Sequence, residues 1–154
     1  MKQATFNDFI NLEYPDDFQL LSEEENKKYF VGNQLRLSFL YKEKHILISL
    51  SKGKDSFMNG LFSVSSIAKS SLSNLSRNLK DYQFIEESSS STLDQPSITE
   101  CFSYMAIDQN VKQYGELTVF KVKKAFYAVM CLSRFESKEE SKKVFKQFVD
   151  SFHL

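Results

Sequence analysis

An unbroken apolar and aromatic run, Ala125 to Cys131, most constrains how this chain can fold. A strand with one face in water alternates polar and apolar residues, whereas this run does not. We therefore expect a strand in the middle of a sheet, covered on both faces. Lys123-Lys124 is predicted to be a polar turn that joins it to a preceding strand, Leu117 to Val122, so that the two strands form a hairpin.

A helix is predicted to follow this hairpin and to end the chain. It starts near Ser137-Lys138-Glu139-Glu140, and its apolar side chains recur at helical spacing, at Val144, Phe145, Phe148, Val149 and Phe152. Such a stripe packs on a neighbouring layer, so we expect the helix to dock on the sheet. The chain has 15 phenylalanines and no tryptophan, which favours a core of interdigitating aromatic rings.

The first half of the chain contains a strand, a short helix and a hairpin. The strand Phe9 to Tyr14 is stopped by Pro15, which has no amide hydrogen for a ladder. Ser22 and Glu25 have the spacing of a capping box, which predicts a helix from about Glu23 to Phe30. Alternation of side-chain character then predicts a hairpin of two strands, Leu35 to Tyr41 and Ile46 to Leu50.

The middle of the chain adds a serine-rich helix and two strands. Apolar residues at steps of three and four predict a helix from about Ser63 to Asp81, whose many serines form either a solvated face or a polar rim for a partner. A strand begins at Tyr82, and Ser88-Ser89-Ser90-Ser91 is either its outer end or a flexible loop. A further strand holds Ile98 to Ile107, with breaks predicted at Asp108-Gln109-Asn110 and at Gly115.

The predicted element order is therefore β-α-β-β-α-β-β-β-β-α. Tight turns between consecutive strands make them antiparallel. We expect an α+β fold, with a mostly antiparallel sheet of about six to seven strands, helices on both faces, and one domain over residues 1–154.

The net charge of the chain and its N-terminal sequence indicate which partners and which cellular compartment to expect. The 20 basic and 20 acidic residues cancel, and no basic block suggests a nucleic-acid partner. The start of the chain has no apolar leader segment, and no apolar run approaches the roughly 20 residues of a membrane helix. These features predict a cytoplasmic protein that has no membrane partner.

Residues that could carry catalysis are few and scattered. Cys101 and Cys131 are predicted to be buried free thiols, with a disulfide only if their strands are neighbours. His45 and His153 are predicted to lie at the surface, and the four residues lack metal-ligand spacing. The glycines are too dispersed for a phosphate-binding loop, so no cofactor is expected. A nucleophile and base made of Cys101 and His45 would need adjoining strands.

Three stretches resemble the PsbP-like and Mog-type family, which includes the DcrB-like bacterial proteins. Phe9-Ile10-Asn11-Leu12-Glu13-Tyr14-Pro15-Asp16-Asp17-Phe18 is similar to the opening strand, proline and aromatic residue of that family. The helix Val64 to Leu79 follows a hairpin, as it does in the family. Phe126-Tyr127-Ala128-Val129 and the helix around Phe148 to Phe152 resemble the final strand and helix. The resemblance implies an antiparallel sheet flanked by helices and a non-enzymatic binding role.

These observations favour a small adaptor or chaperone-like domain that binds another protein. An apolar patch left open by the helices would be the binding surface. The candidate residues are Phe39, Tyr41, Ile46 and Ile48 on the first hairpin, although Phe39 and Tyr41 are equally suited to the core. Two alternatives remain, a small enzyme with an unusual site around Cys101 and His45, and a homodimer formed through an exposed edge strand.

Overall fold

The apolar run near the carboxyl end forms the central strand of a sheet. The computed structural model describes residues 1–54, 56–107 and 110–154, with only the backbone of Phe57 and Met58. Its strands are β1 (Lys2–Phe6), β2 (Ile10–Tyr14), β3 (Gln19–Leu20), β4 (Arg36–Tyr41), β5 (Ile46–Lys52), β6 (Lys80–Thr92), β7 (Gln95–Met105), β8 (Lys112–Val122) and β9 (Ala125–Arg134). Its α-helices are α1 (Glu23–Tyr29), α2 (Val64–Asn78) and α3 (Lys138–Asp150).

Seven of these strands form one antiparallel sheet in the order β3-β4-β5-β9-β8-β7-β6, so β9 lies in the middle as predicted. β1 and β2 form a separate hairpin. The predicted α+β class is confirmed, and the element order largely matches. The short strands β1 and β3 were not predicted, because neither carries an apolar run that would indicate a strand.

Helix α3 and the β1–β2 hairpin cover one face of the sheet, called here the α3 face. Tyr127 and Val129 of β9 are buried there, as are aromatic rings from the neighbouring strands. The Phe148 ring of α3 lies 5.1 Å from the Phe39 ring and 5.6 Å from the Phe152 ring. Interdigitated aromatic rings of this kind dominate the energetics of a core. The predicted docking of the last helix is therefore confirmed.

Hydrogen bonds fix the end of the chain to β2. Asn11 and His153 exchange two backbone hydrogen bonds, of 2.7 and 2.8 Å. The Ser151 hydroxyl accepts a hydrogen bond from the Glu13 N–H at 3.1 Å, and it lies 3.0 Å from the Glu13 carbonyl oxygen. The β1–β2 hairpin, which shares no ladder with the large sheet, is thus held to it through α3 and the residues that follow.

Helix α2 covers the opposite face, called here the α2 face, less completely. Only Ala68 of α2 is fully buried, while the rest of its apolar stripe is half-buried. On β9, Phe126 is buried on this face, whereas Ala128, Met130 and Leu132 are half-buried. The central strand is therefore sealed on the α3 face and only partly covered on the α2 face.

A glycine predicted to interrupt a strand lies inside one instead. Gly115 is in the middle of β8, directly opposite Phe102 of β7. A Cβ atom at this position would lie 3.0 Å or less from three atoms of the Phe102 ring. Gly115 therefore leaves space for the ring and does not end the strand, which corrects the predicted break. Of the other predicted break, Asp108-Gln109-Asn110, the residue Asn110 lies between β7 and β8 with a φ of 51°, as a break requires, and Asp108 and Gln109 lie outside the described residues.

A buried carboxyl group lies on the α2 face. Glu100 of β7 is 1% exposed, and neither of its carboxyl oxygens has a hydrogen-bond partner within the described ranges. Burial raises the pKa of Glu100 to about 7, and the carboxyl group of Glu87, directly opposite on β6, acts in the same direction. Lys69 of α2 partly offsets both effects. The carboxyl group is therefore stabilised in its protonated form.

We predict that Phe148→Ala lowers the free energy of unfolding by about 3–5 kcal/mol, because it removes a buried ring and leaves a cavity. Urea denaturation followed by circular dichroism measures the change. Gln147→Ala, at an exposed position of the same helix, is the control and should change stability by less than about 0.5 kcal/mol. A loss below about 1 kcal/mol for Phe148→Ala would show that α3 is peripheral.

We predict a pH dependence of stability that is due to Glu100. Between its ordinary pKa of 4.5 and about 7, the folded protein holds a proton that the unfolded chain releases. The free energy of unfolding should therefore fall as pH rises through this window. Glu100→Gln, which stays neutral, should show a shallower decline between pH 4.5 and 7 in urea denaturation. Equal declines for the two proteins would contradict this assignment.

Candidate binding site at the open edge of the sheet

Strand β6 forms one outer edge of the sheet and pairs only with β7 among the described residues. Every residue from Gln83 to Ser91 is exposed, and the other edge, β3, has only two residues. An edge strand presents backbone N–H and C=O groups that a further strand can pair with. The polar tract at Ser88–Ser91, for which the sequence left strand or loop open, is part of this edge strand.

The two halves of β6 differ in how well they are protected against pairing with a further strand. In the first half the register against β7 shifts twice, between Lys80 and Gln83 and between Phe84 and Glu86. Such irregularities, and the charged side chains that this half of β6 carries, discourage unwanted pairing of the edge with another strand. From Ser88 to Thr92 the register is continuous, and there is no charge, proline or bulge. We call this second segment, residues 88–92, the open edge.

The open edge is in register with β7 up to a tight turn. Leu93 and Asp94 connect the strands with φ values of 54° and 59°, as in a two-residue type I′ hairpin. Such a turn closes on a hydrogen-bonded pair, here Thr92 and Gln95. Because hydrogen-bonded and non-bonded pairs alternate along the ladder, the N–H and C=O groups of Ser91 and Ser89 point away from β7.

A cavity of about 300 Å³ lies beside the open edge, between α3 and strands β6 to β8. We call it the edge cavity. Its floor is rich in hydroxyl groups, which come from Ser88, Ser90, Ser97, Thr99 and Thr118. Its opposite wall is the α3 surface that carries Lys142, Phe145, Lys146 and Asp150. The cavity therefore carries many polar groups beside the rings of Tyr114 and Phe145, whereas the core further along the same face is mainly aromatic and aliphatic.

Carboxyl and thiol groups alternate across the floor of the edge cavity. Glu86, Cys101, Glu116 and Cys131 occupy one row, because each is paired with the next on neighbouring strands. All four line the cavity. Burial raises the pKa of Glu116, and the negative charge of Glu86 adds to the effect.

Three hydroxyl groups of the cavity have hydrogen-bond partners, whereas one buried hydroxyl has none within the described ranges. Thr99 and Thr118 are joined by a hydrogen bond of 2.8 Å, and the Tyr114 hydroxyl donates to a Glu116 carboxyl oxygen at 2.7 Å. The Ser97 hydroxyl is buried, with the residue 2% exposed, and has no partner within the described ranges. An unsatisfied buried polar group is destabilising, so this hydroxyl is suited to a bound polar group.

The structure places the sequence-predicted partner surface in the core. Phe39 and Ile48 are 0% exposed, and Ile46 is 3% exposed. Tyr41 is half-buried, with its ring 5.3 Å from that of Phe18. The predicted exposure is therefore wrong for Phe39, Ile46 and Ile48, because α3 and the β1–β2 hairpin cover these positions.

Cys101 and His45 are not brought together. His45 is exposed at the turn between β4 and β5, and β9 and β8 lie between β5 and the strand of Cys101. Burial raises the pKa of Cys101 to about 11, which disfavours the thiolate form of a nucleophile. A nucleophile and base made of Cys101 and His45 would need adjoining strands, and the structure does not place them on such strands.

Both cysteines are free and buried, as predicted. They lie on β7 and β9 with β8 between them, so their strands are not neighbours. No group of three or more His, Cys, Asp or Glu side chains could hold a metal ion in the part of the chain that the structure describes. Within residues 1–54, 56–107 and 110–154, no helix has both the length and the apolar character to cross a bilayer.

The open edge was the part of the site that sequence reasoning missed. Its signal was present in Ser88-Ser89-Ser90-Ser91, which carries neither the charges nor the prolines that usually blunt an edge strand. Strand order could not be deduced from one sequence, so nothing identified this tract as the outer edge. The edge cavity depends on the same strand order and on where α3 docks.

Comparison with known proteins supports the fold alone. No family model and no curated protein matches the chain. Among solved structures, the cyanobacterial PsbP protein CyanoP from Synechocystis sp. PCC 6803 has 12% identity and a TM-score of 0.72, and the match covers 99% of this chain and 91% of that one. The Ran-binding protein Mog1p from Saccharomyces cerevisiae has 9% identity and a TM-score of 0.59, with 99% and 94% covered.

LpqN, a Mycobacterium tuberculosis protein involved in cell envelope biogenesis, is also similar in structure. It has 13% identity and a TM-score of 0.57, with 94% of this chain and 82% of that chain covered. All three likenesses extend over nearly the whole chain at low sequence identity. This chain therefore has a PsbP/Mog-type fold.

Proposed function

We propose that this chain is a non-enzymatic domain that binds another protein by adding a segment of it, in extended conformation, to the open edge of β6. The observation that carries this proposal is the bare and regular edge from Ser88 to Thr92, which is exposed from Ser88 to Ser91. Natural sheets usually block such an edge, and this chain leaves it available.

Backbone hydrogen bonds would supply most of the affinity. The outward N–H and C=O groups of Ser89 and Ser91 match those of an incoming strand, as in other complexes formed by strand addition. Serine side chains are short, so they leave the backbone accessible to a partner strand. They are also polar, which keeps the unbound edge hydrated and lowers its tendency to aggregate.

The chemistry of the site favours binding over catalysis. The thiol of Cys101 has a pKa of about 11, so it is protonated at neutral pH, and His45 lies on a distant turn. Mog1p, which shares the fold, is a Ran-binding protein. That function belongs to Mog1p, but it supports the view that this architecture serves protein recognition.

A proline substitution at the open edge tests the proposal. Ser89→Pro removes an outward N–H group but leaves the ladder to β7, because proline is tolerated at edge positions whose N–H faces solvent. Ten-residue peptides selected on wild-type protein from a random phage-displayed library would serve as the probe. We expect Ser89→Pro to weaken their binding at least tenfold, about 1.4 kcal/mol, measured by isothermal titration calorimetry.

The matched control is Ser89→Ala, which removes the hydroxyl group and keeps the N–H group. It should bind the same peptides with unchanged affinity, and unfolding curves of both variants should show that each remains folded. Equal binding by wild type and Ser89→Pro, or a failure to select any peptide, would refute strand addition.

Self-association through the same edge gives a different result. Analytical ultracentrifugation over a range of concentrations would detect a dimer of the wild-type protein. A dimer that Ser89→Pro abolishes would assign the open edge to a second copy of this chain and would overturn the proposal of a different protein partner. A monomer for both proteins is the expected outcome.

A further inference from the structure

From the edge cavity we infer that the partner segment places a cationic side chain, arginine or lysine, into it against Glu116 and Glu86. This inference rests on the proposed function, because the side chain enters from a strand paired with β6. The inference specifies which type of side chain the partner segment carries at one position.

The charges around the cavity favour a cation. Within the described ranges, Glu86 and Glu116 have no ion-pair partner within 4.0 Å. Each of the two lysines of the α3 wall has its ion-pair partner on the same helix, and Lys142 also acts on Glu116 from beyond 4.0 Å. Lys146 lies 2.6 Å from Asp150, and Lys142 lies 3.7 Å from Glu139. The carboxyl groups of Glu86 and Glu116 are thus available for a cationic ligand.

The floor of the cavity supplies matching hydrogen-bond groups. The buried hydroxyl of Ser97 has no partner in the described part of the chain, and it lines the same cavity. A guanidinium group has five N–H donors and an ammonium group has three, so either can donate to the carboxylate oxygens of Glu86 and Glu116. Ser97 lies four residues along β7 from Cys101, the residue paired with both glutamates, so its hydroxyl is suited to a different polar group of the partner segment. The volume of about 300 Å³ leaves room for one long side chain with ordered water.

The distance from the added strand to Glu116 requires one of the longest side chains on the partner segment. Neighbouring strands are spaced by about 4.8 Å, so a strand added beside β6 lies roughly 14 Å from the backbone of Glu116, across β6 and β7. Only arginine or lysine approaches such a reach, with the Glu116 side chain extending toward it. The small side chains of Ser88 and Thr99, paired on these two strands, keep the path open.

The state of Glu116 agrees with this geometry. Burial raises its pKa, and the hydrogen bond from Tyr114 and the charge of Lys142 offset this effect only in part. A cation brought close to a carboxylate favours its charged form. Binding should therefore lower the pKa of Glu116, which ¹³C NMR of the carboxyl group can follow during a pH titration.

The test uses the peptides selected on the wild-type protein. We expect arginine or lysine to be enriched at one position, and replacement of that residue by glutamine to weaken binding at least tenfold in calorimetry. Glu116→Gln should produce a similar loss for the cationic peptide but leave the affinity of its glutamine version unchanged. The glutamine side chain keeps an oxygen that accepts the hydrogen bond of Tyr114, so the fold should persist.

Glu87→Gln is the matched control, because Glu87 is the next residue on β6 but is paired with Glu100 on the α2 face. It should preserve the preference for a cation. Peptides that lose affinity with Ser89→Pro but bind wild type and Glu116→Gln equally would overturn the cavity assignment and leave strand addition intact. Enrichment of glutamate or aspartate at the position would overturn the assignment in favour of Lys142 and Lys146.

Discussion

The structure depends on the aromatic contacts that the last helix and the β1–β2 hairpin make with one face of the sheet. Phe148 of α3 packs on Phe39, and the ring of Tyr127 on β9 packs against Phe6 of the β1–β2 hairpin at 6.0 Å. These contacts bury the central strand on one face and attach a hairpin that has no ladder to the large sheet. Because α3 is needed to seal this region, it cannot also cover the far edge at β6.

The position of α3 and the strand order together generate the candidate site. With β9 in the centre, β7 and β6 are displaced to one side, and the helix that packs over β9 leaves a polar gap above them. The residues facing the gap carry mostly hydroxyl, thiol and charged groups, together with the rings of Tyr114 and Phe145. The same face of one sheet therefore changes from an aromatic core to a cavity lined largely by polar groups within a few strands.

Much of the architecture could be predicted from local pattern. The run Ala125 to Cys131 indicated a central strand, Ser22 and Glu25 indicated a capped helix, and the structure has both features. The binding surface could not be predicted in this way. Phe39 and Ile48 are as apolar as an interface would be, and the docking of the terminal helix and of the β1–β2 hairpin determines that they are buried. Gly115 was misjudged for a related reason, since its role depends on the ring of Phe102 across the ladder.

The four serines of β6 also affect how binding would respond to ionic strength. Hydrogen bonds between neutral backbone groups are little affected by dissolved ions, whereas exposed charge pairs weaken as the Debye length falls below about 10 Å. A partner held along this tract would therefore remain bound in concentrated salt, apart from any contribution of its charged side chain. Recognition at such an edge differs in kind from the electrostatic capture that a strongly charged surface would provide, and it suits a chain whose formal net charge is zero.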